Sequence, residues 1–102
     1  MTNWTWTKFP ETTVPMSSYL LAFTVSEFKY IEHLYAKEPS FRLWARPGLE
    51  HLGHIANELG PKLVDYLEKY TGIKYALPKV DQIAIPDFSA GAMENWGLIT
   101  YR

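Results

Sequence analysis

Residues 86–98, Pro-Asp-Phe-Ser-Ala-Gly-Ala-Met-Glu-Asn-Trp-Gly-Leu, carry the most pointed chemistry in the chain. Ser89, Ala90, Gly91 and Ala92 are small, so the backbone N–H and C=O groups there stay within reach. An extended ligand can pair with such a stretch as a strand would. One carboxylate follows directly, Glu94, with the amide of Asn95 and the indole of Trp96 beside it. A single anion at the end of an accessible strand edge suits a cation at the end of a peptide. The plainer reading is a loop with a solvated carboxylate.

A second cluster is Glu50-His51-Leu52-Gly53-His54, with Glu58 one turn on. His51, His54 and Glu58, at i, i+3 and i+7, can share one helix face, and imidazole plus carboxylate is a zinc ligand set. The zincin pattern differs: it needs His at i and i+4 with Glu straight after the first His. A solvated helix face is therefore expected, and His33 beside Glu32 reads as exposed. None of Ser17, Ser18, Ser26, Ser40 or Ser89 sits in Gly-x-Ser-x-Gly. Gly91 and Gly97 are not in dinucleotide-loop spacing. Cysteine is absent, which removes disulfides, thiolate ligands and thiol nucleophiles together.

The elements that must position these residues change period along the chain. Trp4 and Trp6 alternate with Thr5 and Thr7, and Pro10 and Pro15 bracket a loop. Ser18–Val25 is aromatic, β-branched and aliphatic without a 3.6 period, which predicts a strand buried on both faces. Phe41, Leu43 and Ala45 alternate with Arg42, Trp44 and Arg46, predicting another strand with Arg stems beside an indole. From Leu49 to Tyr70 the apolar residues fall at helical spacing. Gly60-Pro61 predicts a kink or a junction of two helices, and Thr71-Gly72 a stop. Val80–Ile85 and Trp96–Tyr101 read as strands again. Strands, one long helix and strands predict an α+β fold.

Composition agrees with a folded chain. Of 102 residues 47 % are hydrophobic, and four Trp, seven Tyr and five Phe give burial enough to argue against disorder. A net charge of −1 supplies no basic footprint, so no nucleic-acid partner is expected. The apolar run Tyr19–Phe23 falls far short of the roughly 20 residues of a membrane span. No signal peptide is legible after Met1.

The residues as they stand resemble a known family. Gly91-Ala92-Met93-Glu94-Asn95 is similar to the exopeptidase motif of the aminopeptidase N-type zinc metallopeptidases, the gluzincin aminopeptidases. Met16–Phe23, Arg42–Arg46, Gly60-Pro61-Lys62, Tyr75–Lys79 and Val80–Arg102 resemble that family in its order and spacing, and animal membrane aminopeptidases most closely. The resemblance implies that residues 1–48 end an N-terminal β-sandwich domain and residues 49–102 open a thermolysin-like catalytic domain.

By that resemblance Glu94 would bind the free α-ammonium of a peptide substrate. The backbone of Gly91 and Ala92 would pair with its main chain, Met93 would line the pocket for its first side chain, and Asn95 would orient Glu94 or the loop. The family holds one zinc ion with His-Glu-x-x-His and a downstream Glu, none of which occurs in these residues. The chain is therefore expected to be part of a longer enzyme: inactive alone, without metal ligands of its own, its parent at the extracellular face of the plasma membrane through an anchor outside this segment. A catalytically inactive homologue that only binds peptide N-termini is the alternative. A free-standing module is disfavoured, because its strands would leave open edges.

Overall fold

The alternation at Phe41, Leu43 and Ala45 produces a strand with one buried face, and that strand anchors a single mixed sheet. The structure, a computed structural model, describes residues 3–7, 9 and 12–102. Its elements are β1 (Lys29–Lys37), β2 (Ser40–Ala45), α1 (His54–Thr71), β3 (Lys79–Ala84), β4 (Ala92–Met93) and β5 (Leu98–Tyr101). A 3-10 turn, Glu50–Gly53, leads into α1. The fold is α+β, as the alternation of periods predicts.

Strand order is β1-β2-β3-β5-β4. β2 pairs with β3 and β3 with β5 in parallel, while β1 and β4 run antiparallel to their neighbours at the two edges. α1 is the crossover between the parallel strands β2 and β3. The expected change of domain at residue 48 falls inside this one sheet, since β2 and β3 are register partners from Ser40↔Lys79 to Trp44↔Ile83.

β3 is buried along Lys79–Ile83, which requires cover on both faces. On one face Phe41 and Gln82 meet α1, and Leu43 meets the 3-10 turn that leads into it. Phe9 and Leu20, from the N-terminal segment, lie over the other. There Tyr30 and Trp44 pack with ring centroids 4.7 Å apart, and Arg42 lies over Tyr30 while bonding Glu32 at 3.0 Å. The Arg42 guanidinium thus lies over a phenol ring that itself packs on the Trp44 indole.

α1 rests on the sheet through its small residues, not its apolar stripe. Asn57 is buried and Gly53, Gly60, Pro61 and Val64 are half-buried, whereas Leu52, Ile55, Leu59, Leu63, Tyr66, Leu67 and Tyr70 are exposed. At 3.6 residues per turn the two faces lie about a third of a turn apart. A Cβ on Gly53 would collide with the Leu43 side chain, and one on Gly60 would press on Phe41 and Gln82. Gly53→Val is accordingly expected to destabilise the protein by about 1–3 kcal/mol through overpacking. An unaltered melting temperature would contradict this close approach.

Three expectations change. The Ser18–Val25 stretch is a 3-10 turn, Ser18–Leu20, followed by unpaired chain, with Leu21, Phe23 and Val25 exposed. Among the described residues no strand lies alongside to satisfy its backbone, so strand propensity alone does not make it one. Trp4 and Trp6 likewise are exposed and outside the sheet. Pro10, one end of the expected loop, lies outside the described residues. α1 runs through Pro61 as one helix and not as a junction of two, and the change of helix type falls earlier, at Gly53–His54. Packing of Asn57, Gly60, Pro61 and Val64 on the sheet holds both sides of the proline and offsets the bond it cannot donate. The expected stop is realised: Gly72 takes φ 72° and its N–H donates to the Glu68 carbonyl.

Candidate functional site

β4 is an edge strand, with β5 on one side and, among the described residues, nothing bonded to the other. Ala92 pairs with Tyr101 and Met93 with Thr100, and the Gly91 carbonyl accepts from the Arg102 N–H at 3.0 Å. These contacts hold the inner edge of the strand and leave its outer edge free for an added strand. Gly91, Ala92 and Glu94 are exposed and Met93 is half-buried. A Cβ on Gly91 would meet nothing within 4 Å, so this backbone lies open to an approaching chain. Glu94 stands at the end of that edge.

Asn95 turns the other way and is 6 % exposed. Its Nδ2 donates to the Leu20 carbonyl at 3.3 Å and its Oδ1 accepts from Thr100 Oγ1 at 3.2 Å. The side chain is thus spent on fixing the loop to β5 and to the N-terminal segment. A turn follows at once, closed by the Leu98 N–H donating to the Asn95 carbonyl at 3.1 Å, with Gly97 at φ 75°. Positive φ at the third position is what such a turn requires.

The stretch from within α1 to the end of β5, residues 55–102, matches the peptidase family M1 domain. The chain is 51 % identical over 100 residues to aminopeptidase N of Haemonchus contortus, covering 98 % of this chain and 10 % of that protein. It is 48 % identical over 100 residues to glutamyl aminopeptidase of Bitis rhinoceros, with the same coverage of 98 % and 10 %. Against aminopeptidase 2, mitochondrial, of Saccharomyces cerevisiae it is 52 % identical over 91 residues, covering 89 % and 10 %. The chain belongs to peptidase family M1. It spans about a tenth of the length of these relatives.

The second cluster read from the sequence does not assemble in this M1 chain. Among the described residues no group of three or more His, Asp or Glu stands together to hold a metal ion. His51, His54 and Glu58 are exposed, and Glu58 lies 3.6 Å from Lys62 as an i,i+4 pair. His33 is half-buried rather than exposed and lines a hollow of about 460 Å³ between β1 and α1 with Glu32, His54 and Glu58. A second hollow, of about 690 Å³, lies between residues 12–14 and 74–78. Neither includes residues 91–95. Among the described residues no helix is long and apolar enough to cross a membrane.

Sequence reasoning passed over a buried polar group behind the loop. Lys79 and Asp81 are 9 % and 3 % exposed, with Nζ 2.6 Å from Oδ2. Lys79 Nζ also donates to the Gly97 carbonyl at 2.7 Å, and Tyr75 OH donates to the Lys79 carbonyl at 3.2 Å. The available signal was a Lys-x-Asp spacing inside a strand, which puts both charges on one face.

Burial pushes the Tyr75 phenol up to about 12, the nearby Asp81 carboxylate adds to the rise, and a hydrogen bond from the Gly97 backbone opposes it. An unfolded tyrosine titrates near pH 10. The folded state therefore keeps its proton longer, so this group's stabilisation is whole below about pH 10 and is lost as pH rises toward about 12. Tyr75→Phe is expected to flatten the fall in melting temperature over that interval. An identical fall in both proteins would contradict the shift.

Proposed function

We propose that this chain is part of an aminopeptidase whose full-length form removes N-terminal residues from peptides, and that this segment recognises the substrate's free α-amino group. The observation that carries the reading is Glu94, exposed at the end of the open edge of β4. A peptide laid antiparallel or parallel along residues 91–93 gains main-chain hydrogen bonds, and its terminal ammonium reaches a carboxylate. Gly91 and Ala92 supply the backbone, Met93 the first-residue contact, and Asn95 the fixed loop. Relatives named aminopeptidase N and glutamyl aminopeptidase support the substrate class.

The charge-assisted bond from ammonium to carboxylate is worth about 1.5–3 kcal/mol net. A blocked N-terminus cannot supply the cation, so selection follows as much from an unpaired Glu94 as from attraction.

The zinc implied by the family resemblance does not fit the described residues of this chain, which bring no ligand set together. Its ligands are proposed to lie in the remainder of the parent, and the 102-residue chain alone is expected to hydrolyse nothing. We place the parent at the extracellular face of the plasma membrane on the resemblance to animal membrane aminopeptidases; the mitochondrial name of the yeast relative is the competing placement, and fractionation decides between them. The functional reading is tested by incubating the purified full-length protein with short unblocked peptides, with and without a chelator. Release of single N-terminal residues that stops on chelation supports it. Release of internal fragments, or binding of peptides without any cleavage, would overturn it, and the second outcome would mark an inactive N-terminus-binding homologue.

A further inference from the structure

The polar cluster under the Glu94 loop is a costly thing to bury. An ammonium and a carboxylate taken out of water return what desolvation removes only when their remaining protons and lone pairs are used, and an apolar pair of the same size would serve stability as well. Here the hydrogen bonds converge on one residue. Lys79 Nζ and the Asp81 N–H both donate to the Gly97 carbonyl, at 2.7 and 3.0 Å. Asp81 Oδ1 accepts from Trp44 Nε1 at 3.0 Å, which locks the carboxylate to β2, and the Phe9 ring lies 4.4 Å from the Lys79 ammonium. The Tyr75 hydroxyl holds the Lys79 backbone from the other side. Gly97 is the third residue of the turn that starts one residue after Glu94.

We propose that Lys79 and Asp81, braced by Tyr75 and Trp44, are positioning residues that aim Glu94 along the open edge of β4 by clamping the Gly97 carbonyl. This rests on the reading of Glu94 as the amine site. Upstream of Glu94, among the described residues, the strand is held by backbone contacts alone: the register pairs Ala92↔Tyr101 and Met93↔Thr100 and the Arg102 N–H on the Gly91 carbonyl. Downstream, Asn95 and Gly97 are tied to Leu20, Thr100, Lys79 and Asp81. The direction of Glu94 is therefore set from its C-terminal side. Without the Lys79 bond the turn keeps its backbone closure but loses its one charge-assisted tie to the sheet. A displacement of about 1 Å in a binding group costs up to about a hundredfold.

The test is a double-mutant cycle in the full-length enzyme, read as kcat and KM on an unblocked aminoacyl substrate. Lys79→Met is expected to raise KM by about 10- to 100-fold while kcat changes less. In the Glu94→Ala background the same substitution is expected to add less than about twofold, because residues acting through one another are non-additive. Equal losses in both backgrounds would show a merely structural role and overturn the proposal, as would no loss when Glu94 is present. A large Glu94→Ala effect with additive Lys79→Met overturns the positioning role alone; a Glu94→Ala enzyme of full activity removes the amine reading beneath it. Since Lys79→Met strands a buried carboxylate, Lys79→Met/Asp81→Asn, which keeps an oxygen acceptor for Trp44 and no buried charge, is measured beside it. Tyr75→Phe, which deletes only one hydroxyl, carries the same cycle if neither folds.

Discussion

If the full-length form is the aminopeptidase proposed above, Glu94→Ala is expected to lower its kcat/KM on peptides with a free N-terminus by about 30- to 5,000-fold. The range follows from the about 2–5 kcal/mol lost when one partner of a buried hydrogen-bonded charge pair is truncated, Glu94 being covered once a peptide lies along β4, at 1.36 kcal/mol per tenfold. Glu94 is exposed and makes none of the loop's structural bonds, which run through Asn95, Gly97 and their partners. Removing its carboxylate should therefore leave the fold as it is, with an unchanged melting temperature. Steady-state kinetics on purified wild-type and variant enzyme check the expectation. A loss below about threefold, or a loss accompanied by collapse of the melting temperature, would contradict a direct role in binding.

Gly97→Ala is expected to be the most damaging single methyl in the loop, destabilising the protein by about 2–5 kcal/mol. About 1–2 kcal/mol comes from a side chain forced into the left-handed region, at φ 75°. A further 1–3 kcal/mol comes from overpacking, because the new Cβ would collide with the Phe9 ring and also touch Leu77. Gly91→Ala is the matched control. That residue has no positive φ and open space around it, so the fold should accept the methyl and any loss should appear in KM alone. Thermal unfolding of the two variants side by side separates the cases. Equal stabilities would mean that the loop does not depend on the Gly97 geometry.

The strand and helix periods were legible because each reports a burial pattern. Phe41, Leu43 and Ala45 alternate into the core as their spacing requires, and Thr71-Gly72 stops the helix with the glycine in the left-handed region. What the helix faces was not legible. An apolar stripe suggests a core-facing side, yet Gly53 and Gly60 bring a side about a third of a turn away from it against Leu43 and Phe41. Hydrophobic pattern reports where burial is available, while small residues decide which backbone can come closest.

Ser18–Val25 shows the same limit from the strand side. Its propensity is high, but strand structure is completed by a neighbour, and among the described residues none is offered. The period change at Leu49 marks a crossover helix inside one sheet, since β2 and β3 are partners on either side of it. At the site, the small residues before Glu94 were legible as accessible backbone. Lys79 and Asp81 were not, because their partner is a backbone carbonyl 18 residues beyond Lys79.

In the function proposed above, Glu94 selects a free α-ammonium at the open edge of β4. The most direct measurement of that selection is the ratio of kcat/KM for a peptide with a free N-terminus to that for its N-acetylated twin, taken on full-length wild type and on Glu94→Ala. A ratio of about 100 or more is expected in the wild type, collapsing toward unity in the variant as the free peptide loses its partner. The same high ratio in both enzymes would contradict it.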